Sequence, residues 1–515
     1  MKTLNWQNIQ PAGGTHPHGP LRSENGYNIM PLKFSVPLDH NNPNHPEFQL
    51  PSSSISISAN LVYSRAEFTI STDLTPSWTS FLAQNHKTIL VYLCGGPGDA
   101  NPPCRNPDLN GEILKHHGWP ILYPNYRGTS GEDAVTGELI ARIGAECEDP
   151  EEQAVRQAEY LSYFRQDAIV ADLEAIRLRL PEVLGLAKGE EVKYILLGQS
   201  YGGWIATTYL SFLPGGLERV YLSAGLPPVG RTPREVYERL FEGVREKNRQ
   251  YYRRNAADRV NIGDNQKVKE VLGKLWRMYG DKGAELPDGS RLTPRGFMTM
   301  GRRLGGSPAE DWREMHRLVE LLANELNEED RDAAKQTLAK FHEAGGTGFK
   351  LLERPLYAVL HEKIYCCGPG VASQWAAQQV GKEKAEKKKS GFSWLRDDFS
   401  FDEIELTQLF FSGEMIFEFM LHDAGPKMEP FIRPARLLAE KTDWPNLYDE
   451  EQLARNDVPV RALAYPNDMH VAWNFCEETA RKINGCELVK GSARLRHGSI
   501  RSEPEAVLRE LFGKD

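Results

Sequence analysis

Apolar and polar positions change rhythm three times along the chain. Over the first ninety or so residues, short segments alternate apolar with polar or are rich in β-branched residues. These are Leu32 to His40, Ser53 to Arg65 and Ala66 to Ile70, with Pro, Asn and Ser clusters between them. Lys87 to Leu93 is then a continuous apolar run, as a strand covered on both faces requires. Trp119 to Gly128 reads as a second short strand ending in a glycine turn. Tyr163 to Leu180 spaces apolar residues at helical period with charges between them, which predicts an amphipathic helix. Glu191 to Ser200 is strand-like, Trp204 to Leu213 helix-like and Arg219 to Gly225 strand-like. Strand–helix–strand alternation of this kind implies an α/β fold built on a mostly parallel, doubly wound sheet.

The rhythm turns helical after Leu226-Pro227-Pro228. Arg234 to Tyr252 and Glu310 to Leu326 are amphipathic, and β-branched runs are few up to Pro430. Glu383 to Gly391 is a charge run expected in an exposed loop. After Asp457 the first rhythm returns. Val458 to Tyr465 predicts a strand, Phe475 to Ile483 a helix, Cys486 to Gly498 a strand and loop, and Glu503 to Gly513 a closing helix. Three segments follow: a first part of the α/β core (1–227), a helical cap (228–430) and a second part of the core (431–515).

Composition narrows the class. A length of 515 residues is about three units at ~150 residues per domain, or one large α/β fold carrying an insertion. The net charge of −9 argues against a nucleic-acid binder, which needs a basic surplus. No apolar run approaches the ~18 residues of a membrane helix. The first residues lack the apolar stretch of a secretory signal. Seven cysteines, with no CxxC pair, fit reduced thiols better than disulfides or a zinc site. A cytoplasmic protein is the expectation.

The strongest chemical signal is Gly198-Gln199-Ser200-Tyr201-Gly202-Gly203, between a strand and a helix. Glycines on both sides allow the sharp turn that exposes a strained serine hydroxyl; the alternative is an ordinary glycine-rich turn. A serine needs a base, and the base needs an orienting carboxylate. In the order Ser, Asp, His, the candidates are Asp468, in the turn after the Val458 to Tyr465 strand, and His497, after the last strand-like segment. Asp468 as a helix cap is the competing reading. His470 is the competing base, but it sits too close to Asp468 to reach it from the next strand end, so it is read as a packing or loop histidine. Donors for an oxyanion are expected from the turn at Gly95 and Gly96 and from the N–H of Tyr201. Cys94 reads as a small buried residue. No metal or organic cofactor is called for.

Taken together, these motifs resemble the proline iminopeptidases of the α/β-hydrolase superfamily. Cys94-Gly95-Gly96-Pro97-Gly98 is similar to the family's His-Gly-Gly-Pro-Gly, with Cys94 in place of the histidine. Asn125 to Ser130 resembles a second family stretch, with Asn125-Tyr126 where Asp-Gln is usual. Phe34 to His40 is similar to an N-terminal signature of the larger members. The resemblance implies an α/β-hydrolase fold with a cap, and a serine aminopeptidase that takes a peptide with a free N-terminus and prefers proline.

Family motifs in the cap match His361-Glu362-Lys363-Ile364-Tyr365 and Ser412-Gly413-Glu414-Met415. Glu414 and Glu362 are thereby implied as binders of the α-amine. Glu418, four residues beyond Glu414, is expected to share its helix face. The alternative for each glutamate is a place on an exposed helix face. Tyr365, Trp375, Phe411 and Phe417 are either pocket walls or core. Two other classes stay open: an esterase, amidase or lactonase that ignores the amine, and a non-catalytic binding protein.

Overall fold

The computed structural model describes residues 3–14, 21–43, 53–64, 87–101, 106–256, 263–347, 349–387, 390–400 and 408–513. The expected strand at Ala66 to Ile70 lies outside them. Nine strands form one sheet: β1 (Arg22–Glu24), β2 (Tyr27–Pro37), β3 (Ser54–Ser64), β4 (Thr88–Leu93), β5 (Ile121–Pro124), β6 (Lys193–Gln199), β7 (Leu217–Ser223), β8 (Val460–Ala464) and β9 (Cys486–Lys490). Their spatial order is β1-β2-β3-β5-β4-β6-β7-β8-β9. The first three are an antiparallel meander joined to β5, and every pair from β5 to β9 is parallel.

Sequence rhythm explains the division. β2 and β3 alternate buried and half-buried residues, as an antiparallel pair with one solvated face does. β4 and β5 are buried at every position, and β6 at all but its first. Each Leu, Ile or Val so covered contributes ~1.5–3 kcal/mol. β4 pairs with β5 on one side and β6 on the other. The chain therefore reverses its direction of winding there, and in open α/β sheets the crevice at the strands' carboxyl ends beside such a reversal is where ligands bind.

Residues 224–459 leave the sheet and return, adding helices such as Pro233–Arg254, Asp311–Glu325, Pro355–Leu360 and Ala376–Ala385. Among the described residues they contribute no strand to the large sheet. The helix Glu429–Glu440 runs across the boundary expected at 430 and packs on the helix Pro150–Ser162.

Two local expectations are corrected. Glu383 to Ala385 belong to the helix Ala376–Ala385, where Arg234 clamps Glu383, so part of the charge run is helical. The helix Gln166–Val183 is buried almost all round rather than amphipathic. Its buried charges lie inside because they are paired: Asp167 with Arg165, Asp172 with Arg127, and Glu174 with Arg177. Arg165 also donates to the carbonyls of Cys366 and Pro445, binding this helix to the inserted segment.

Candidate active site

The first site element is the turn between β6 and the helix Tyr201–Phe212. Ser200 occupies it with φ 54° and ψ −124°, a left-handed conformation that a serine adopts only when its surroundings impose it. They do so here by close approach. A Cβ on Gly203 would stand 1.9 Å from the carbonyl oxygen of Gly225, so only glycine lets the helix pass β7 at that height. Ser200 N–H donates to the Ser223 carbonyl at 3.1 Å, and Gly203 N–H to the Ser200 carbonyl at 2.7 Å.

β4 ends beside this turn, with Leu93 in register with Gly198. The Cys94-to-Gly98 turn thus faces the serine, and a Cβ built on Gly95 would lie 3.3 Å from Ser200 Cβ. Tyr201 is the first residue of its helix, so its N–H has no carbonyl one turn back. Asp99, just beyond the turn, holds Arg354 of the inserted segment at 2.9 Å.

The loops after β8 and β9 bring the other two groups. His497 Nε2 lies 2.9 Å from Ser200 Oγ, and its Nδ1 lies 2.7 Å from Asp468 Oδ2. Asp468 Oδ1 accepts from the N–H groups of His470, at 2.8 Å, and Val471, at 3.2 Å. The helix-cap reading of Asp468 does not hold, because the next helix starts at Trp473 after Ala472. Burial would raise the Asp468 carboxyl, but the His497 charge and its hydrogen bond hold it below the usual range. Burial would likewise lower His497, yet Asp468 draws the imidazole above its ordinary value.

Next to the triad, Glu414 is surrounded by Tyr357, Arg302, His470 and His361, which come from separate elements. Tyr357 donates to its Oε1 at 2.5 Å, and Arg302 Nη1 approaches the same oxygen at 3.5 Å. His470 Nδ1 is 3.2 Å from Oε2. Burial alone would raise this carboxyl; His470, Arg302 and His361 together hold it well below its ordinary value. Burial pushes His361 itself down to about 4. Glu362 is also buried, and its carboxylate accepts the N–H groups of Ala376 and Ala377 at the start of a helix. Burial raises its carboxyl, against the pull of Lys363. The Tyr365 ring packs near Trp204 and Tyr237. Burial and then the charges of Glu414 and Glu362 push its phenol up.

Glu418 does not share a face with Glu414. Glu414 lies in a non-helical stretch, whereas Glu418 opens the helix Glu418–Asp423 and is held by Arg436. Phe411 and Phe417 are fully buried, against Tyr252 and Phe297 and against Phe419 and Trp394 respectively. Trp375 lies under the Lys363 ammonium. Sequence reasoning missed Arg302 and Tyr357 and gave His470 no part in the site. Only the short distance along the chain between His470 and Asp468 hinted at it.

Sheet order, reversal point and strained serine define an α/β hydrolase. No family model matches the chain. It is 31% identical to a proline iminopeptidase of Aeromonas sobria over 95% of this chain and 96% of that one. It is 28% identical to the proline iminopeptidase aneH of Aspergillus aculeatus, over 82% and 84%. A solved proline iminopeptidase-related protein of Thermus thermophilus covers 90% of this chain and 96% of its own, at 15% identity and a TM-score of 0.32. The chain belongs to the proline iminopeptidase family and is a serine hydrolase. Among the described residues, no helix is long and apolar enough to cross a membrane.

Proposed function

We propose that this enzyme is an aminopeptidase that releases the N-terminal residue, preferentially proline, from peptides through an acyl-enzyme. Ser200 attacks the carbonyl of that residue while His497 takes its proton and Asp468 holds the imidazole. The backbone N–H groups at Gly95, Gly96 and Tyr201 receive the oxyanion; one such donor is worth ~10²–10³ in rate. His497 then protonates the leaving amine, and water attacks the ester. Glu414 receives the substrate ammonium, with Glu362 as the second amine-binding candidate and residues 228–430 as the helical cap that carries both.

The observation that carries this reading is Glu414 beside the triad, joined to it through His470, whose ring packs on His497. A half-open carboxylate kept ionised beside the triad suits a charged N-terminus, since a charge-assisted bond is among the stronger polar contacts. Family membership supports the choice of proline. The test is a panel of prolyl, alanyl and leucyl anilides, N-acetylprolyl anilide and a short-chain phenyl ester. Cleavage of free prolyl anilide with rejection of the acetylated form is expected. Cleavage of the ester or blocked amide, with free prolyl anilide ignored, would replace this reading by that of an esterase or amidase.

A further inference from the structure

His470 lies between Glu414 and the catalytic imidazole of His497. Its backbone N–H donates to Asp468 Oδ1 at 2.8 Å, which holds its main chain beside the triad and leaves the side-chain torsions free. Its Nε2 edge fits against Gly305, where a Cβ would come within 1.9 Å. Its Nδ1 is buried and makes no aligned hydrogen bond, yet lies 3.2 Å from Glu414 Oε2. The other face meets His497 edge-on, with ring centroids 4.7 Å apart. The charged and titratable groups around it are therefore Glu414, Asp468, His497 and His361, with Arg302 on the far oxygen of Glu414.

We propose that His470 is a positioning residue that occupies Glu414 as an imidazolium in the free enzyme and yields it to the substrate ammonium, so that docking of a charged N-terminus releases one proton to solvent. The inference rests on Glu414 as the amine binder. Charge balance favours the exchange: one cation leaves Oε2 as another arrives, while Arg302 and Tyr357 keep the carboxylate ionised throughout. A histidine can make this exchange because it exists as imidazole or imidazolium, whereas an arginine would keep its charge and hold the site.

The test uses L-prolinol, an amine that the enzyme cannot hydrolyse, as a competitive inhibitor across the acid range. Release of one proton requires its inhibition constant to rise about tenfold per pH unit as pH falls. In His470→Asn and His470→Gln that dependence should shrink to less than half on a logarithmic scale; equal steepness in both variants overturns the proposal. Melting curves identify a variant that fails to fold, leaving the other to carry the comparison. Independently, titration calorimetry of the unaltered enzyme with prolinol in two buffers of different ionisation enthalpy should count a released proton, and none released overturns the proposal. Glu414→Gln separates the two readings. Prolinol binding unchanged in that variant defeats Glu414 as amine binder, whereas binding lost there together with an unaltered slope in the His470 variants defeats only the exchange.

Discussion

The phenolic hydroxyl of Tyr126 donates a 2.8 Å hydrogen bond to the carbonyl oxygen of Cys94. Both positions are ones where this chain departs from the family motifs it resembles, and the two residues touch. The bond orients the peptide that leads into Gly95, and the Tyr126 ring meets the Tyr201 ring edge-on at 6.3 Å. The Cys94 thiol is pushed up to about 12, chiefly by burial, so it is a packing group rather than a nucleophile. Tyr126→Phe leaves a buried carbonyl without that donor, a cost of ~1–3 kcal/mol. We expect kcat for prolyl anilide to fall about tenfold with KM nearly constant. An unchanged kcat would show that the oxyanion turn needs no such support.

Acid should silence the enzyme at a higher pH than a free imidazole would dictate. Burial opposes a charge on His497, but Asp468 more than compensates and raises it. The base works only when neutral, so kcat/KM falls as pH drops through a midpoint above ~6.5. Asp468→Asn removes the cause of the rise. Its limb should move to lower pH while kcat/KM falls by ~10⁴. Stability has the opposite sense for the two groups. The raised His497 contributes fully below its unfolded value and loses the contribution as pH climbs through the folded one. The lowered Asp468 contributes above ~3.9 and loses it as pH falls through its depressed value. A limb that stays in place in Asp468→Asn contradicts this account.

Gly203→Ala should fail as a folding variant rather than as a catalytic one. The added methyl would lie 1.9 Å from the Gly225 carbonyl, which is backbone and cannot turn aside. The helix Tyr201–Phe212 must then move off β7, and overpacking of this kind costs ~1–3 kcal/mol or more. A lower melting temperature and loss of labelling at Ser200 by a fluorophosphonate are expected together. Normal labelling in a normally stable variant would be inconsistent with this packing.

The two cap glutamates should separate by readout. Glu362 carries the N–H groups of Ala376 and Ala377, so Glu362→Ala leaves them buried without an acceptor and should destabilise by ~1–3 kcal/mol. Glutamine at 414 keeps an acceptor for the Tyr357 hydroxyl, so Glu414→Gln should lower the melting temperature less than Glu362→Ala does. Glu414→Gln should also lose most of its preference for prolyl anilide over the cyclopentanecarbonyl analogue, which lacks the amine. If Glu362→Ala alone erased that preference, the assignment of the amine would move to Glu362.

Much of this was legible in the chain because strand ends announce themselves. Apolar runs stopping at glycine located the turns of Gly95 and Ser200, and the order of Asp468 and His497 followed from strands that resume after a helical stretch. The Glu414 cluster was not legible: Arg302, Tyr357 and His470 come from three separate segments, and no local period encodes their meeting. Glu418 was misplaced for a related reason, since a four-residue spacing has meaning only inside a helix and the helix starts at Glu418 itself. The charges of Gln166–Val183 misled because periodicity reports polarity, whereas burial depends on partners such as Arg127 that lie elsewhere.

The long excursion between β7 and β8 sets an order in time. Val220 pairs with Val460, and β8 with β9, so the last strands complete the sheet only after residues 224–459 have been made. A nascent chain emerging from the ribosome carries Ser200 and its elbow for most of synthesis without His497 to draw off the proton. The contact between Ser200 and His497 therefore waits on a partner that follows 297 residues later along the chain.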